Sequence, residues 1–363
     1  MSTRLGAAYL ERCGLDVEWR DARDLLTSVS RNATQTSRDY LSAVCGHEPD
    51  PALGPELATS GKVVLTQGFI ARNKNGETVI LGRGGSDTSA AYFAAKLQAR
   101  RLEIWTDVPG LFSADPRLVP SARLLVALRY DEAQELASAG STVLHPRCIS
   151  PLRPHGIPLF IRSTLSPEIH GTVISSITDE VEPQVKGICV RRNISLVSMD
   201  SVGMWHEVGF LARAFAVFSE HGLSVDFVST SETNVTVSID TSDGVVAGRK
   251  IRTILPRLAP ALEVFEEEKI HMLSQSANDL NLSFVVGEDQ GEKLVNKLHA
   301  TAIRQTGGSP AFGASWEELY RSEPVPAQRS KAWWVGRRSD LLALAEQQQN
   351  AYVYNSETVR EAA

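Results

Sequence analysis

An apolar run, Thr78-Val79-Ile80-Leu81, feeds directly into Gly82-Arg83-Gly84-Gly85-Ser86-Asp87, and a helical pattern from Ala90 to Leu97 leaves it. A strand that becomes a helix through three glycines tightly restricts what the chain can fold into. Glycines at such a corner let backbone N–H groups approach an anion, and the helix N-terminus adds positive dipole. Arg83 can grip a carboxylate or phosphate with its planar fork. Asp87 falls in the first helical turn, where it can cap the helix or meet an ammonium. The combination suits a zwitterionic small molecule beside a nucleotide. A plain tight turn, with Arg83 solvated and Asp87 only a cap, fits the same residues. The stretch is neither a Walker A loop nor the usual dinucleotide fingerprint.

The runs on either side alternate between strand and helix. Thr3 to Cys13 reads as a helix ended by Gly14, followed by strand pieces at Val17-Glu18-Trp19 and Leu25-Leu26. Residues 27–60 read as loop with one short helix near Asp39 to Val44. Lys62 to Ile70 reads as one buried strand, Asn73 to Gly76 as a turn, and Leu102-Glu103-Ile104-Trp105-Thr106 as another strand. Asp115-Pro116-Arg117 marks a turn, Asp131 to Ala139 a helix, His145-Pro146 the start of another helix, and Ile157 to Arg162 a strand. Such alternation points to an open α/β sheet with ligands outside the strand C-terminal ends. Arg83–Asp87 and Thr106–Asp107 both occupy such ends.

From Lys186 the rhythm changes. Strands are expected at Gly187 to Ser198, Leu223 to Val228 and Asn234 to Asp240, and helices at Val208 to Glu220, Gly244 to Leu255 and Glu292 to Ile303. Ser229-Thr230-Ser231 before Asn234-Val235-Thr236-Val237 resembles Ser274-Gln275-Ser276 before Asn281-Leu282-Ser283-Phe284. This is an internal repeat of small α+β units. Paired units of this kind hold a small ligand at their joint or serve as a dimerisation platform. After Gly307 the sequence reads as a linker, with Trp333-Trp334 packing it, and a strand-like run starts at Ala351.

With 363 residues the chain is long enough for two or three domains. A formal net charge of −6 and the lack of any basic run argue against nucleic acid as a partner. Cys13, Cys45, Cys148 and Cys189 form no C-x-x-C pair, so neither a disulfide frame nor a protein-held metal site is expected. No signal peptide opens the sequence and no apolar run is long enough for a bilayer, so the cytoplasm is the expected compartment and no membrane partner is expected.

Five motifs in order carry a family likeness: Thr66-Gln67-Gly68-Phe69-Ile70, Leu81 to Asp87, Trp105-Thr106-Asp107-Val108-Pro109-Gly110, Asp115-Pro116-Arg117 and Val143-Leu144-His145-Pro146. Together they resemble the aspartate kinases, over about residues 1–305. The resemblance implies a truncated amino-acid-kinase-like open α/β sheet with helices on both faces. Tandem ferredoxin-like (βαββαβ) ACT regulatory units follow it. It places a catalytic domain lacking its N-terminal segment at 1–177, the ACT region at 178–306, a linker at 307–350, and at 351–363 a stretch similar to the start of diaminopimelate decarboxylase. That last likeness matches a kinase–decarboxylase fusion, whose pyridoxal phosphate site would lie beyond this chain.

The implied reaction is phosphoryl transfer from ATP, with Mg²⁺ on its phosphates, to the side-chain carboxylate of L-aspartate. It opens lysine, threonine and methionine synthesis. Arg83 would clamp an aspartate carboxylate, Asp87 would meet its ammonium, and Phe69, Gly84, Gly85 and Ser86 would shape that pocket. Thr106, Asp107, Phe112, Arg117, Thr142 and Val143 would contact the nucleotide. Met204, Gly209, Phe210, Leu211, Val225, Asp226, Ser231 and Glu232 are similar to a lysine-binding allosteric site, with threonine as the other effector. Two-fold pairing of the ACT units into a homodimer is implied as well.

Three departures bear on activity. The family's Lys-Phe-Gly-Gly-Thr-Ser phosphate loop is absent. A charge-stabilising group of that type is commonly worth ~10³-fold or more in rate, so this chain alone is expected to be nearly inactive. The glutamate that usually precedes the first helix is missing, and Thr142 and Phe112 stand where lysine and tyrosine are common. A different acid kinase, or a lysine-binding regulatory protein without catalysis, fits the same residues.

Overall fold

The computed structural model describes residues 2–29, 36–58, 61–140, 143–176, 185–200, 208–221, 223, 225–231, 233–240, 248–253, 269–275, 281–303 and 310–320. The chain divides into two compact units, Met1–Trp316 and Glu317–Ala363, and every element below lies in the first.

The first half is α/β. Helix α1 (Ser2–Arg12) leads into β1 (Val17–Arg20), which pairs in parallel with β2 (Val63–Thr66). Between them lie three short helices, α2 (Ala22–Leu25), α3 (Thr36–Leu41) and α4 (Leu53–Ala58). The hairpin β3 (Ile70–Arg72) and β4 (Thr78–Ile80) feeds α5 (Gly85–Lys96), and β5 (Leu102–Thr106) follows. After β6 (Arg123–Leu125), β7 (Ala127–Arg129) and α6 (Tyr130–Ser138) come β8 (Leu159–Ser163) and β9 (Thr172–Ser175). Four of these strands form a mixed sheet in the order β5-β8-β9-β7. The C-terminal end of β5 thus sits where an α/β sheet presents its ligands, whereas the strand feeding α5 belongs to the separate β3–β4 hairpin and not, as the sequence pattern suggests, to this sheet.

The second half is one six-stranded antiparallel sheet. Its strands are β10 (Ile188–Asp200), β11 (Val225–Thr230), β12 (Asn234–Asp240), β13 (Gly248–Thr253), β14 (Ile270–Gln275) and β15 (Leu282–Gly287). Helix α7 (Phe210–Glu220) belongs to the first repeat and α8 (Gly291–Ala302) to the second. The order β11-β12-β10-β13-β15-β14 is symmetric about its centre. The two stretches alike in sequence become equivalent outer hairpins, with Thr230 opposite Val235 and Gln275 opposite Leu282. Each outer strand has a register shift at its start, between Val225 and Phe227 and between Ile270 and Met272.

The largest core runs through both halves. It joins Leu128, Leu136, Leu159 and Ile161 to Leu282, Phe284, Leu294 and Leu298. The first repeat keeps a separate cluster of Phe218, Val235, Val237 and Ile239. Polar contacts reinforce the seam. Lys186 Nζ donates to both carboxylate oxygens of Glu132, at 2.7 and 2.9 Å. Asn281 Nδ2 donates to Glu135 Oε2 at 2.7 Å, and Ser113 Oγ lies 2.9 Å from His299 Nε2.

Several expected elements differ. Leu25 closes a helix, not a strand, because Asp21 caps it by accepting from Arg23 N at 3.0 Å. The loop at 27–60 contains a second helix, α4. The strand expected over 62–70 is broken between β2 and β3, where Phe69 adopts φ 75°, and Val63 on it is exposed. His145-Pro146 opens a single 3-10 turn, Pro146–Cys148. Within the helix expected over 244–255, residues 248–253 are instead strand β13, paired on both edges by β10 and β15, so sheet pairing overrides the local helical pattern there; 244–247 and 254–255 lie outside the described residues. The linker contains β16 (Phe312–Ser315), which pairs with β6. There Arg123 Nε donates to Gly313 O at 3.0 Å and its guanidinium lies over the Phe312 ring. Residues 177–184, Trp333-Trp334 and 351–363 lie outside the described residues. All four cysteines are free thiols. Among the described residues no helix is long and apolar enough to cross a membrane.

His299 is 5% exposed, and burial pushes its pKa from 6.5 down to about 4. The unfolded chain therefore binds the extra proton first as pH falls. Stability held above pH 6.5 should drain away toward pH 4, by up to about 3 kcal/mol from this group. Urea unfolding across that range measures the slope, and His299→Gln should flatten it; an unchanged slope would count against this origin.

Candidate functional site

The glycine corner is built by close approach. Gly84 caps α5 at φ 65°, and a Cβ there would overlap the His145 side chain. A Cβ on Gly85 would overlap the Phe69 ring in the same way. The capping residue is thus Gly84, with no side-chain cap, and Asp87 is left inside the first turn. Phe69 sits in the left-handed region at φ 75°, a conformation that costs a bulky residue about 1–3 kcal/mol and gathers at functional sites. Ser89 Oγ holds its N–H at 3.2 Å, and its carbonyl accepts from Leu81 N at 2.9 Å.

The turn at 145–148 braces the corner from outside. His145 Nδ1 accepts from Arg147 N at 3.2 Å. Arg147 Nη1 donates to Leu81 O at 2.6 Å and Nη2 to Ala43 O at 2.8 Å, tying the corner to the loop after α3. Nothing in the sequence singled out Arg147; its role depends on contacts with residues 66 and 104 positions away.

Arg83 and Asp87 lie on either side of the Gly84-Gly85 pair. Arg83 is exposed. Burial, then the Arg147 and Arg83 charges, hold the His145 pKa below its usual value. Asp87 is half-buried, and burial raises its carboxyl pKa above the usual carboxylate range. Burial first, and then the Asp87 charge, push the Cys148 thiol up. The corner thus carries an exposed guanidinium and a desolvated carboxylate. An arriving ammonium would lower the cost of ionising Asp87.

Three of the residues expected at the nucleotide come together. Phe112, Arg117 and Val143 line a cavity of about 360 Å³, with Leu111, Leu136 and Val295 among the other walls. Phe112 packs edge-on to Trp316, ring centres 5.3 Å apart. Asp115 Oδ1 accepts from Arg117 N at 2.9 Å, fixing the turn that carries Arg117. Thr106 and Asp107 do not line this cavity. They end β5, with Thr106 Oγ1 3.1 Å from Asp107 Oδ1 and Thr106 O accepting from Thr164 N at 2.8 Å. Thr142 lies outside the described residues. Among those residues no group of three or more His, Cys, Asp or Glu is placed to hold a metal ion.

In the second half, Gly209 caps α7 at φ 85°. Phe210 and Val225 pack on the same small cluster, while Leu211 is exposed. Asp226 is already paired with Arg191 Nη1 at 3.2 Å. Ser231 Oγ accepts from Asn234 N at 3.1 Å. Met204 and Glu232 lie outside the described residues.

The corner yields a direct check. Gly84→Ala adds left-handed strain of about 1–2 kcal/mol and overpacking of about 1–3 kcal/mol. Thermal unfolding should show the loss, and His145→Gly in the same chain should return the overpacking part but not the strain.

Comparison with known proteins bears on these sites. The profile of the amino acid kinase family matches residues 1–163, and that of the ACT domain matches residues 197–255. Lysine-sensitive aspartokinase 3 of Escherichia coli (strain K12) is 34% identical over 338 residues, spanning 83% of this chain and 72% of that protein. The crystal structure of E. coli aspartokinase III with aspartate and ADP (R-state) superposes with a TM-score of 0.69 at 32% identity, covering 83% of this chain and 73% of that one. The same enzyme with lysine and aspartate (T-state) gives a TM-score of 0.66 at 31% identity, with the same coverages.

Proposed function

Because the chain belongs to the aspartokinase family, we propose that it binds L-aspartate at the glycine corner and an adenine nucleotide in the cavity lined by Phe112, Arg117 and Val143, for phosphoryl transfer to the aspartate side-chain carboxylate. The observation that carries this reading is the glycine corner itself: Gly84 and Gly85 packed against His145 and the Phe69 ring, with exposed Arg83 before them and half-buried Asp87 in the first turn of α5. An amino acid offers a carboxylate to the first and an ammonium to the second. The strained Phe69 would close that pocket against Gly85. Phe112, Arg117 and Val143 would take the nucleotide, with Thr106 and Asp107 at the neighbouring strand end.

Such transfer depends on positioning and charge neutralisation. Arg83 and Asp87 would orient the acceptor carboxylate, and the corner's backbone N–H groups would face developing negative charge. A divalent cation would supply charge neutralisation on the phosphates, carried in by the nucleotide and not held by a cage of side chains. The sequence holds no Lys-Phe-Gly-Gly-Thr-Ser loop, so turnover by this chain alone is proposed to be weak and binding is the sharper readout. The likeness of residues 351–360 to a decarboxylase, with its pyridoxal phosphate, falls outside the described residues and has no part in the proposal.

We further propose that L-lysine is the effector, bound near the start of α7 and β11 with its ammonium at Asp226. The lysine complex of the E. coli relative supports an effector of this class. Arg191 is then the competitor that lysine must displace. Pairing of two copies through the regulatory sheet is supported by the exposed apolar side chains Leu211, Val217, Val228 and Leu273.

Titration calorimetry tests both sites. Asp87→Asn should weaken L-aspartate binding about tenfold or more, the worth of a charged hydrogen bond, and leave Mg-ADP binding intact; undiminished aspartate affinity would remove the corner as the substrate site. For the effector, Asp226→Ala should abolish the lysine heat while Arg191→Met strengthens it. Equal heats from wild type and Asp226→Ala would sink that assignment.

A further inference from the structure

The cavity assigned above to the nucleotide has walls from both halves of the chain. One wall is the loop from Leu111 to Leu118; the opposite wall includes Ile188 and Val190 of β10 and Val295 of α8. Ser113 is the residue of that loop that turns away from the cavity. It is fully buried. Its N–H donates to Arg123 O at 2.8 Å and its carbonyl accepts from Ile188 N at 2.8 Å. Its hydroxyl accepts from Arg123 N at 2.8 Å and meets His299 Nε2 at 2.9 Å. The hydroxyl hydrogen is thus free to donate to an imidazole nitrogen that carries a lone pair.

His299 lies one helical turn beyond Val295, on the same face of α8. One helix of the second repeat therefore presents Val295 to the cavity and His299 to the back of the loop that forms its other side. Two residues of this loop, Phe112 on one side of Ser113 and Arg117 on the other, are among those expected to touch nucleotide.

We propose that His299 is a positioning residue for the nucleotide loop: through Ser113 it holds Phe112 and Arg117 facing the cavity, so that the regulatory half completes the site for the adenine nucleotide. The proposal rests on reading this cavity as the nucleotide site. The imidazole touches no substrate. It fixes the peptide that carries the contacts, in the way a buried partner fixes the orientation of a binding group. A displacement of α8 moves the brace and the Val295 wall together, and the loop follows.

Calorimetry on the whole chain, with Mg-ADP and L-aspartate titrated separately, tests this. His299→Leu, shown folded by circular dichroism and a cooperative melt, should bind Mg-ADP roughly three- to tenfold more weakly, the span of one neutral hydrogen bond, and bind L-aspartate as wild type does. His299→Gln, whose amide can reach the same hydroxyl, should recover Mg-ADP affinity to within about twofold. A purely structural histidine would lower stability without this split between ligands. Should His299→Leu fail to fold, Ser113→Ala removes the same bond from the other side and should weaken Mg-ADP selectively. A folded His299→Leu or Ser113→Ala with wild-type Mg-ADP affinity overturns the proposal, as does equal loss of both ligands. If wild type itself takes up no Mg-ADP, the nucleotide reading of the cavity falls, and this inference falls with it.

Discussion

Two missing side chains hold the catalytic half in register. At Gly84 the space a Cβ would take is filled by His145, and at Gly85 by the Phe69 ring. Because interiors pack like organic crystals, neither neighbour has room to drift. The backbone of the corner is therefore set by contact on both sides. Arg147 adds a third constraint by gripping Leu81 O, the last carbonyl before the corner. The placement of Arg83 and Asp87 follows from that rigidity. Both sit on backbone that cannot relax without disturbing β3, β4, α5 and the 145–148 turn together. The strain at Phe69 is offset by the same packing.

The two repeats of the second half are alike in topology but not in attachment. The outer hairpin of the second repeat, and α8 with it, contributes Leu282, Phe284, Leu294 and Leu298 to the main core. The first repeat keeps its own small cluster and presents α7 largely to solvent. One unit is thus welded to the catalytic half and the other is loosely joined through the sheet. The bulges at Asp226 and His271 mark the same register position on the two outer strands. Strand β10 runs from the first repeat to the cavity. That strand pairs with β12 at one end and supplies Ile188 to Val190 to the cavity at the other.

Much of this was legible in the residues themselves. The β5 strand, the α6 helix and the second-repeat helix follow from apolar periodicity, and Gly14 ends a helix where expected. The repeat of Ser-x-Ser before Asn-x-x-x correctly marks two equivalent hairpins. Errors fall where distant contacts outvote local pattern. Arg249 to Thr253 carry a helix-like pattern but are captured between two strands. Phe69 breaks a strand because Ser89 and Leu81 claim its backbone. Of the candidate site, Phe112, Arg117 and Val143 line one cavity, while Thr106 and Asp107 do not. Arg147, Ser113 and His299 carried no local signal, since each acts through a partner far along the chain.

The return of Phe312–Ser315 to pair with β6 has a temporal side. Arg123 takes its carbonyl partners from residues about 190 positions later. On a ribosome adding about 5–20 residues per second, that interval is roughly 10–40 s. Through that interval Arg123, Leu124 and Leu125 emerge without their last neighbour, and Ser113 waits nearly as long for its histidine. The nascent chain must therefore carry an unfinished edge beside the cavity until residues 312–315 have emerged, an opening for chaperones and for wrong strand partners alike.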